Sequence, residues 1–365
     1  MQAPEPRIGA LTAHVLKSPS LIPAMAPLST LSKLLKSSFD DQRLRQLFGR
    51  YATYVGGSPT HAPAILSLIW QAEALGVWVV KGGMHKLTDA LAGLLKQFNV
   101  DIQTNAHVAR IEVKNGQARA VHLQDGTTLP CDVVIHAGDP RALPTGALGT
   151  DTTQVATQTL KAKRSFSARV LSFAATPHGP DLVHHNVFFS GDLVSEFEDL
   201  MADRVPTEPT FYICALDRGQ DMAPPAVERF EIITNAPATP DTTEDEDLTP
   251  WLHQITQQMA QLGMSFRPTP TTQTVTTPQA FGRMFPETMG ALYGQTPHGL
   301  TAALSRPTAR TSIPNLYLAG GGTHPGAGVP MATLSARHAV EAILSDQTST
   351  SMSAPTAMRG GMSTV

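Results

Sequence analysis

The chain has 365 residues and a mass of 38.9 kDa, enough for one large or two ordinary domains around a sizeable core. Lys plus Arg number 27 against 30 Asp plus Glu, a formal net charge of −3, so the sequence lacks the basic surplus by which a nucleic-acid binder draws in phosphate. Charged residues make up 16% and apolar residues 41%, which excludes a disordered chain and suits a compact protein that handles a greasy molecule.

Two cysteines, Cys131 and Cys214, exclude a disulfide scaffold and a cysteine-rich metal site. Both lie in apolar, strand-like runs and are expected as buried free thiols. Residues 1–9 show no basic-then-apolar leader, and the most apolar stretch, 62–80, is broken by Gln71 and Glu73. The expectation is a cytoplasmic protein that touches a membrane surface without crossing it.

Residues 1–76 read as helical and irregular. Leu31, Leu34 and Leu35, then Leu44, Leu47 and Phe48, recur at helix spacing, while Pro19, Pro23 and Pro27 forbid one long helix at the start. Residues 77–149 form a second segment. Gly82-Gly83 precedes an apolar helical stripe of Met84, Leu87, Leu91, Leu94, Leu95 and Phe98. Strands are predicted at 100–104, 108–113, 118–123 and 131–135, with Asn115-Gly116 and Asp125-Gly126 as hairpin turns.

Residues 150–280 change character: strand-like runs at 169–174, 186–189, 211–216 and 230–234 predict an antiparallel sheet. The acidic run 241–247 reads as a solvated loop whose end caps a helix starting near Trp251. Residues 281–345 return to strand, glycine-rich loop and helix. The tail 346–365 is expected to be disordered.

One stretch carries chemistry. Leu316–Ala319 is a short strand, followed by Gly320, Gly321, Gly322, Thr323, His324, Pro325, Gly326, Ala327, Gly328, Val329, Pro330 and Met331. Five glycines in nine residues let backbone approach a ligand closely, and Pro330 suits the first turn of a helix. Unpaired N–H groups and the dipole at that helix start seat a polar or anionic group. The helix is expected to continue with Ala332, Ala336, Ala339, Val340 and Ile343 on one face.

The string Gly322–Pro330 resembles the C-terminal flavin signature of the bacterial-type phytoene and carotenoid desaturases. More narrowly, Phe48–Pro59, Ile69–Glu73 and Gly290–Gly294 resemble the hydroxycarotenoid 3,4-desaturases, also called methoxyneurosporene dehydrogenases. The likeness runs from about residue 14 to 344. It implies an α/β fold of amine-oxidase type. An FAD-binding doubly wound domain is assembled from separate pieces of chain, and a substrate domain of helices and antiparallel sheet shelters a long polyene. It places Gly320–Met331 beside the flavin, Val108 at the strand position whose backbone meets the adenine, and Asp139 in the Asp-Pro element near the ring. His324 and Glu73 are the weak catalytic candidates: His324 as a ring contact or a loop holder, Glu73 as a proton acceptor or a capped surface carboxylate.

The sequence departs from that family in one respect. Its members open with strand, GxGxxG, helix and an acidic ribose ligand, and no such unit occurs in the first hundred residues. The chain is expected to be an N-terminally truncated desaturase or a remnant that holds FAD only if another polypeptide supplies the missing unit. A carotenoid isomerase on the same scaffold stays open. The implied partners are an acyclic carotenoid, hydroxylated or methoxylated, and the inner or photosynthetic membrane, met through apolar helices at 28–35 and 62–70. No metal is expected: His184 and His185 are adjacent on a strand and should point to opposite faces.

Overall fold

The computed structural model describes residues 4–5, 29–219, 223–238, 247–299, 302 and 305–352. Helices α1 (Leu31–Ser38) and α2 (Gln42–Gly49) start where their N-caps dictate. The Thr30 hydroxyl accepts from the Lys33 N–H, and the Asp41 carboxylate from that of Arg43. Leu31 and Leu35 are buried in a small core with Ala52, Ala62, Phe39 and Phe48. The expected docking of this helix on a bilayer is therefore corrected, because residues 50–67 fold back over those leucines. Of the second trio only Phe48 reaches that core, and Leu44 and Leu47 stay exposed.

After α3 (Leu68–Glu73), helix α4 (His85–Gln97) forms where the stripe predicts it, yet none of its residues is buried. The 100–104 run is not a strand. Its Val100 and Ile102 remain 44% and 46% exposed, and among the described residues no strand lies beside them to take their backbone hydrogen bonds. Strands β1 (Val108–Lys114), β2 (Gln117–Leu123) and β3 (Thr128–Pro130) follow as an antiparallel meander. Asn115 and Gly116, both at positive φ, turn the first hairpin as predicted. Ile111 and Ala118 pack the meander on β4 (Val134–His136), which lies outside it. Cys131 falls short of β4 and is half-buried, while Cys214 is buried; both are free.

The middle of the chain builds the predicted antiparallel sheet. β5 (Ser167–His178), β6 (His185–Phe188), β7 (Phe211–Ala215) and β8 (Glu228–Ala236) stand in the order β5-β8-β7-β6, with helix α5 (Leu193–Met201) between β6 and β7 in sequence. Alternation sets one sheet face, Leu171, Phe211, Ile213, Phe230 and Ile232, against Trp251, Ile255 and Met259 of α6 (Thr249–Gln261). Asp247 accepts from the Thr249 N–H at 2.9 Å, as the capping expectation requires; residues 241–246 lie outside the described residues. β9 (Ser265–Arg267) and β10 (Val275–Thr276) both pair with β5.

Helix α7 (Pro278–Met284) leads toward β11 (Leu316–Leu318), which pairs in parallel with β4. The final helix, α8 (Val329–Met352), runs past residue 345 into the segment expected to be disordered; 353–365 lie outside the described residues. Its packed face is Ser335, His338, Ala339 and Ala342, with only Ala339 from the expected line. Hydrogen bonds choose that face. Ser335 accepts from the Gly320 N–H at 2.7 Å, and Asp346 accepts from Tyr317 at 2.9 Å, bonds that apolar spacing does not register.

Candidate cofactor and substrate site

The glycine-rich loop leaves β11 and returns along the start of α8. Its inner half is packed: the His324 N–H donates to the Pro307 carbonyl at 2.8 Å, and Thr323 is fully buried. The His324 ring, 6% exposed, stacks on His338 with centroids 6.0 Å apart. It thus lies under the loop, in the place of a loop holder. The outer half is open. Val329 is 57% exposed, and a Cβ at Gly328, where φ is +100°, would meet nothing within 4 Å.

Three distant segments meet beside this loop. Asp139, just after β4, accepts from the Arg141 N–H at 2.9 Å and forms a buried ion pair with Arg164. Gly322 passes so close to Pro140 that a Cβ there would lie 2.5 Å from the proline ring. Gly294, from the Gly290–Gly294 motif, crosses above both, its missing Cβ 3.5 Å from Gly322 Cα and 3.8 Å from an Asp139 carboxylate oxygen.

Arg306 ties this junction together and was missed in the sequence. Only 6% exposed, it donates to the carbonyls of Gly321 (2.8 Å), Tyr293 (3.0 Å) and Gln295 (2.9 Å). Burial pushes its guanidinium down to about 10, Asp139 opposes that and Arg164 adds to it, so the group stays charged at neutral pH. Nothing in the flanking Ser305 and Pro307 marks such an arginine. Only the resemblance of Gly290–Gly294 pointed to its neighbourhood.

The other candidates lie apart. Val108 opens β1 opposite Leu123, and the meander reaches β11 through Ile111, three residues further on. Glu73 ends α3 and accepts from the Tyr51 hydroxyl at 2.7 Å, the capped-carboxylate arrangement. Burial and that same bond push the Tyr51 phenol up. The expectation for His184 and His185 is corrected: their rings converge, centroids 4.4 Å apart, because β6 begins only at His185 and a turn at 183–186 bends the chain into it.

A cavity of about 610 Å³ opens beside the junction, and Arg164 belongs to both. Its walls carry apolar Leu160, Phe166 and Met201 and basic Lys161 and Lys163. His298 in the same wall accepts the Ser58 N–H on Nε2 at 2.8 Å, and burial, then His61 and Lys163, lower it to about 4.

The interlocked loop, junction and antiparallel sheet define the class. The chain belongs to the flavin-containing amine oxidoreductases, whose family pattern matches residues 28–219 and 241–344. An oxidoreductase from Methanosarcina mazei shares the fold, with a TM-score of 0.53 at 15% identity over 88% of this chain and 71% of that one. Within the family its place is among the carotenoid desaturases. It is 48% identical over 351 residues to hydroxyneurosporene desaturase of Cereibacter sphaeroides, covering 96% of this chain and 71% of that protein. The corresponding Rhodobacter capsulatus protein is 46% identical, with 95% and 70% covered. The 1-hydroxycarotenoid 3,4-desaturase of Flavobacterium sp. (strain P99-3) is 30% identical, with 89% and 67% covered.

Proposed function

We propose that the protein desaturates an acyclic, hydroxylated or methoxylated carotenoid with FAD as hydride acceptor. The observation that carries this reading is the 48% identity to a hydroxyneurosporene desaturase over 96% of the chain. The residues present fit one side of a flavin. The open seat at Gly328 and the start of α8 suit its polar chain, and the Asp139–Gly322–Gly294 junction supplies a rigid wall beside it. Bound there, oxidised flavin supplies the acceptor for a hydride from an allylic carbon.

The chain's own residues position and shelter. Arg306 fixes the Gly321 and Tyr293 carbonyls in one arrangement, and the Asp139–Arg164 pair locks the Pro140 segment against the loop. Leu160, Phe166 and Met201 in the adjoining cavity offer apolar contact to a polyene. Neither Glu73, held by Tyr51, nor His324, stacked on His338, is assigned a proton transfer. The reading extends to two partners. A parallel α/β unit carrying phosphate contacts fits the exposed apolar residues of α4 and the exposed Val100, Ile102 and Ile135. No helix among the described residues is long and apolar enough to cross a membrane; Leu68, Trp70 and Trp78 are exposed and fit a bilayer surface from which the substrate enters.

The test supplies the protein, in liposomes with FAD, with a hydroxylated acyclic carotenoid. A red shift from an added conjugated double bond is expected, together with a flavin absorption band. An unchanged carotenoid spectrum while flavin is bound one to one overturns the reading. An unchanged spectrum without bound flavin, restored by adding the α/β unit, supports the partner proposal.

A further inference from the structure

The edge of the six-stranded sheet carries a cluster that flavin chemistry does not use. His184, His185 and Cys214 each offer one ligand atom, and these atoms all lie within 4.8 Å of one another. His185 and Cys214 are directly paired across β6 and β7 and so share a sheet face. His184 joins them because the Asn186 side chain clamps Val183, taking its N–H at 2.9 Å and donating to its carbonyl at 2.6 Å, which bends the chain ahead of β6.

The orientation of His184 is decisive. Its Nδ1 lies 2.7 Å from the Arg218 carbonyl oxygen, and a carbonyl only accepts, so Nδ1 carries the proton. Nε2 then keeps its lone pair, 3.8 Å from Cys214 Sγ. Arg218 is fixed in turn by a bidentate pair with Glu228 (2.6 and 2.8 Å) and by the Leu182 carbonyl at 2.6 Å. A backbone carbonyl behind Nδ1 is the outer support that orients metal-binding imidazoles.

We infer that His184, His185 and Cys214 bind a borderline-soft divalent d-block ion, Zn²⁺ foremost, with water at the fourth position and the Tyr212 hydroxyl as an outer partner. Two imidazoles and a thiolate match the ligand preferences of that ion, whereas Mg²⁺ and Ca²⁺ want oxygen. Tyr212 Oη stands 2.5 Å from His185 Nδ1, and exposed His185 leaves a path in from solvent. The bound ion ties edge strand β6 to β7, a staple independent of the flavin site.

Co²⁺ is the probe for the full chain, followed by Zn²⁺ displacement. One Co²⁺ per chain is expected, with a thiolate charge-transfer band in the near ultraviolet and the intense visible bands of tetrahedral coordination. Zn²⁺ should displace it and raise the melting temperature. Cys214→Ser should abolish the charge-transfer band and weaken binding beyond the ~10–100-fold that follows loss of an outer partner. Tyr212→Phe should stay within that range, and both variants should melt near the parent when metal-free. Absence of binding, Co²⁺ bound without a charge-transfer band, or unchanged affinity in Cys214→Ser each overturns the site.

Discussion

At the scale of single residues the site rests on charges that face carbonyls and one another rather than solvent. Replacing Arg306 by Met should leave three buried carbonyls short of a donor and destabilise the fold by about 3 kcal/mol. Urea unfolding measures the loss, and Arg306→Lys should recover only part of it, since an ammonium cannot span the same three acceptors. Asp139→Asn strands the Arg164 guanidinium, whose side chain is only 8% exposed, at a cost of about 3–5 kcal/mol. Asn keeps an oxygen for the Arg141 N–H, so an unchanged unfolding midpoint would show that the cap, not the ion pair, is what matters there. These groups were illegible in the sequence because a buried arginine is defined by what surrounds it. Asp139 was found through the Asp-Pro resemblance, Arg164 and Arg306 not at all.

Among elements, legibility follows how local the stabilising contacts are. Turn residues and apolar alternation announced β1, β2 and β5 to β8 of the large sheet but not the short β9 and β10, since hairpin chemistry and two-residue periodicity act between neighbours along several residues. The 100–104 run has the right pattern and, among the described residues, no partner strand, so pattern alone misleads there. The packed face of α8 was misread because Ser335 and Asp346 dock it through hydrogen bonds and His338 through its ring stacked on His324. Two predictions belong at this scale. Gly322→Ala drives a methyl into Pro140 and should abolish flavin retention, read by absorbance, while far-ultraviolet circular dichroism of the sheet persists. The pair Leu91→Lys with Leu94→Lys, at positions 54% and 47% exposed, should move the unfolding free energy by less than about 0.5 kcal/mol and prevent docking of an α/β unit. A large drop in stability would mean that α4 already packs on the chain's own core.

For the molecule as a whole, pH acts through a half-buried histidine. His298 holds its folded value near 4 against an ordinary 6.5, so below pH 6.5 the unfolded chain takes up a proton that the folded one refuses. Stability should therefore fall as pH drops from 6.5 toward 4 and gain no further loss from this group below that. Allowing for solvent screening of a half-buried ring, the change is roughly 1–2 kcal/mol. His298→Gln keeps an acceptor for the Ser58 N–H but does not titrate. Between pH 6.5 and 4 the variant's stability should accordingly fall less steeply than the parent's; parallel curves would remove His298 as the cause.

The parallel pairing of β4 with β11 has only three residues on each side, whereas β5 and β8 share nine paired positions. In native-state deuterium labelling the amides of Leu316–Leu318 should therefore exchange through a small, early opening that leaves Leu171 and Ile232 protected until global unfolding. The half of the protein that would grip the cofactor is then the first to breathe, and ligand binding there should register as slowed exchange before it changes anything in the sheet.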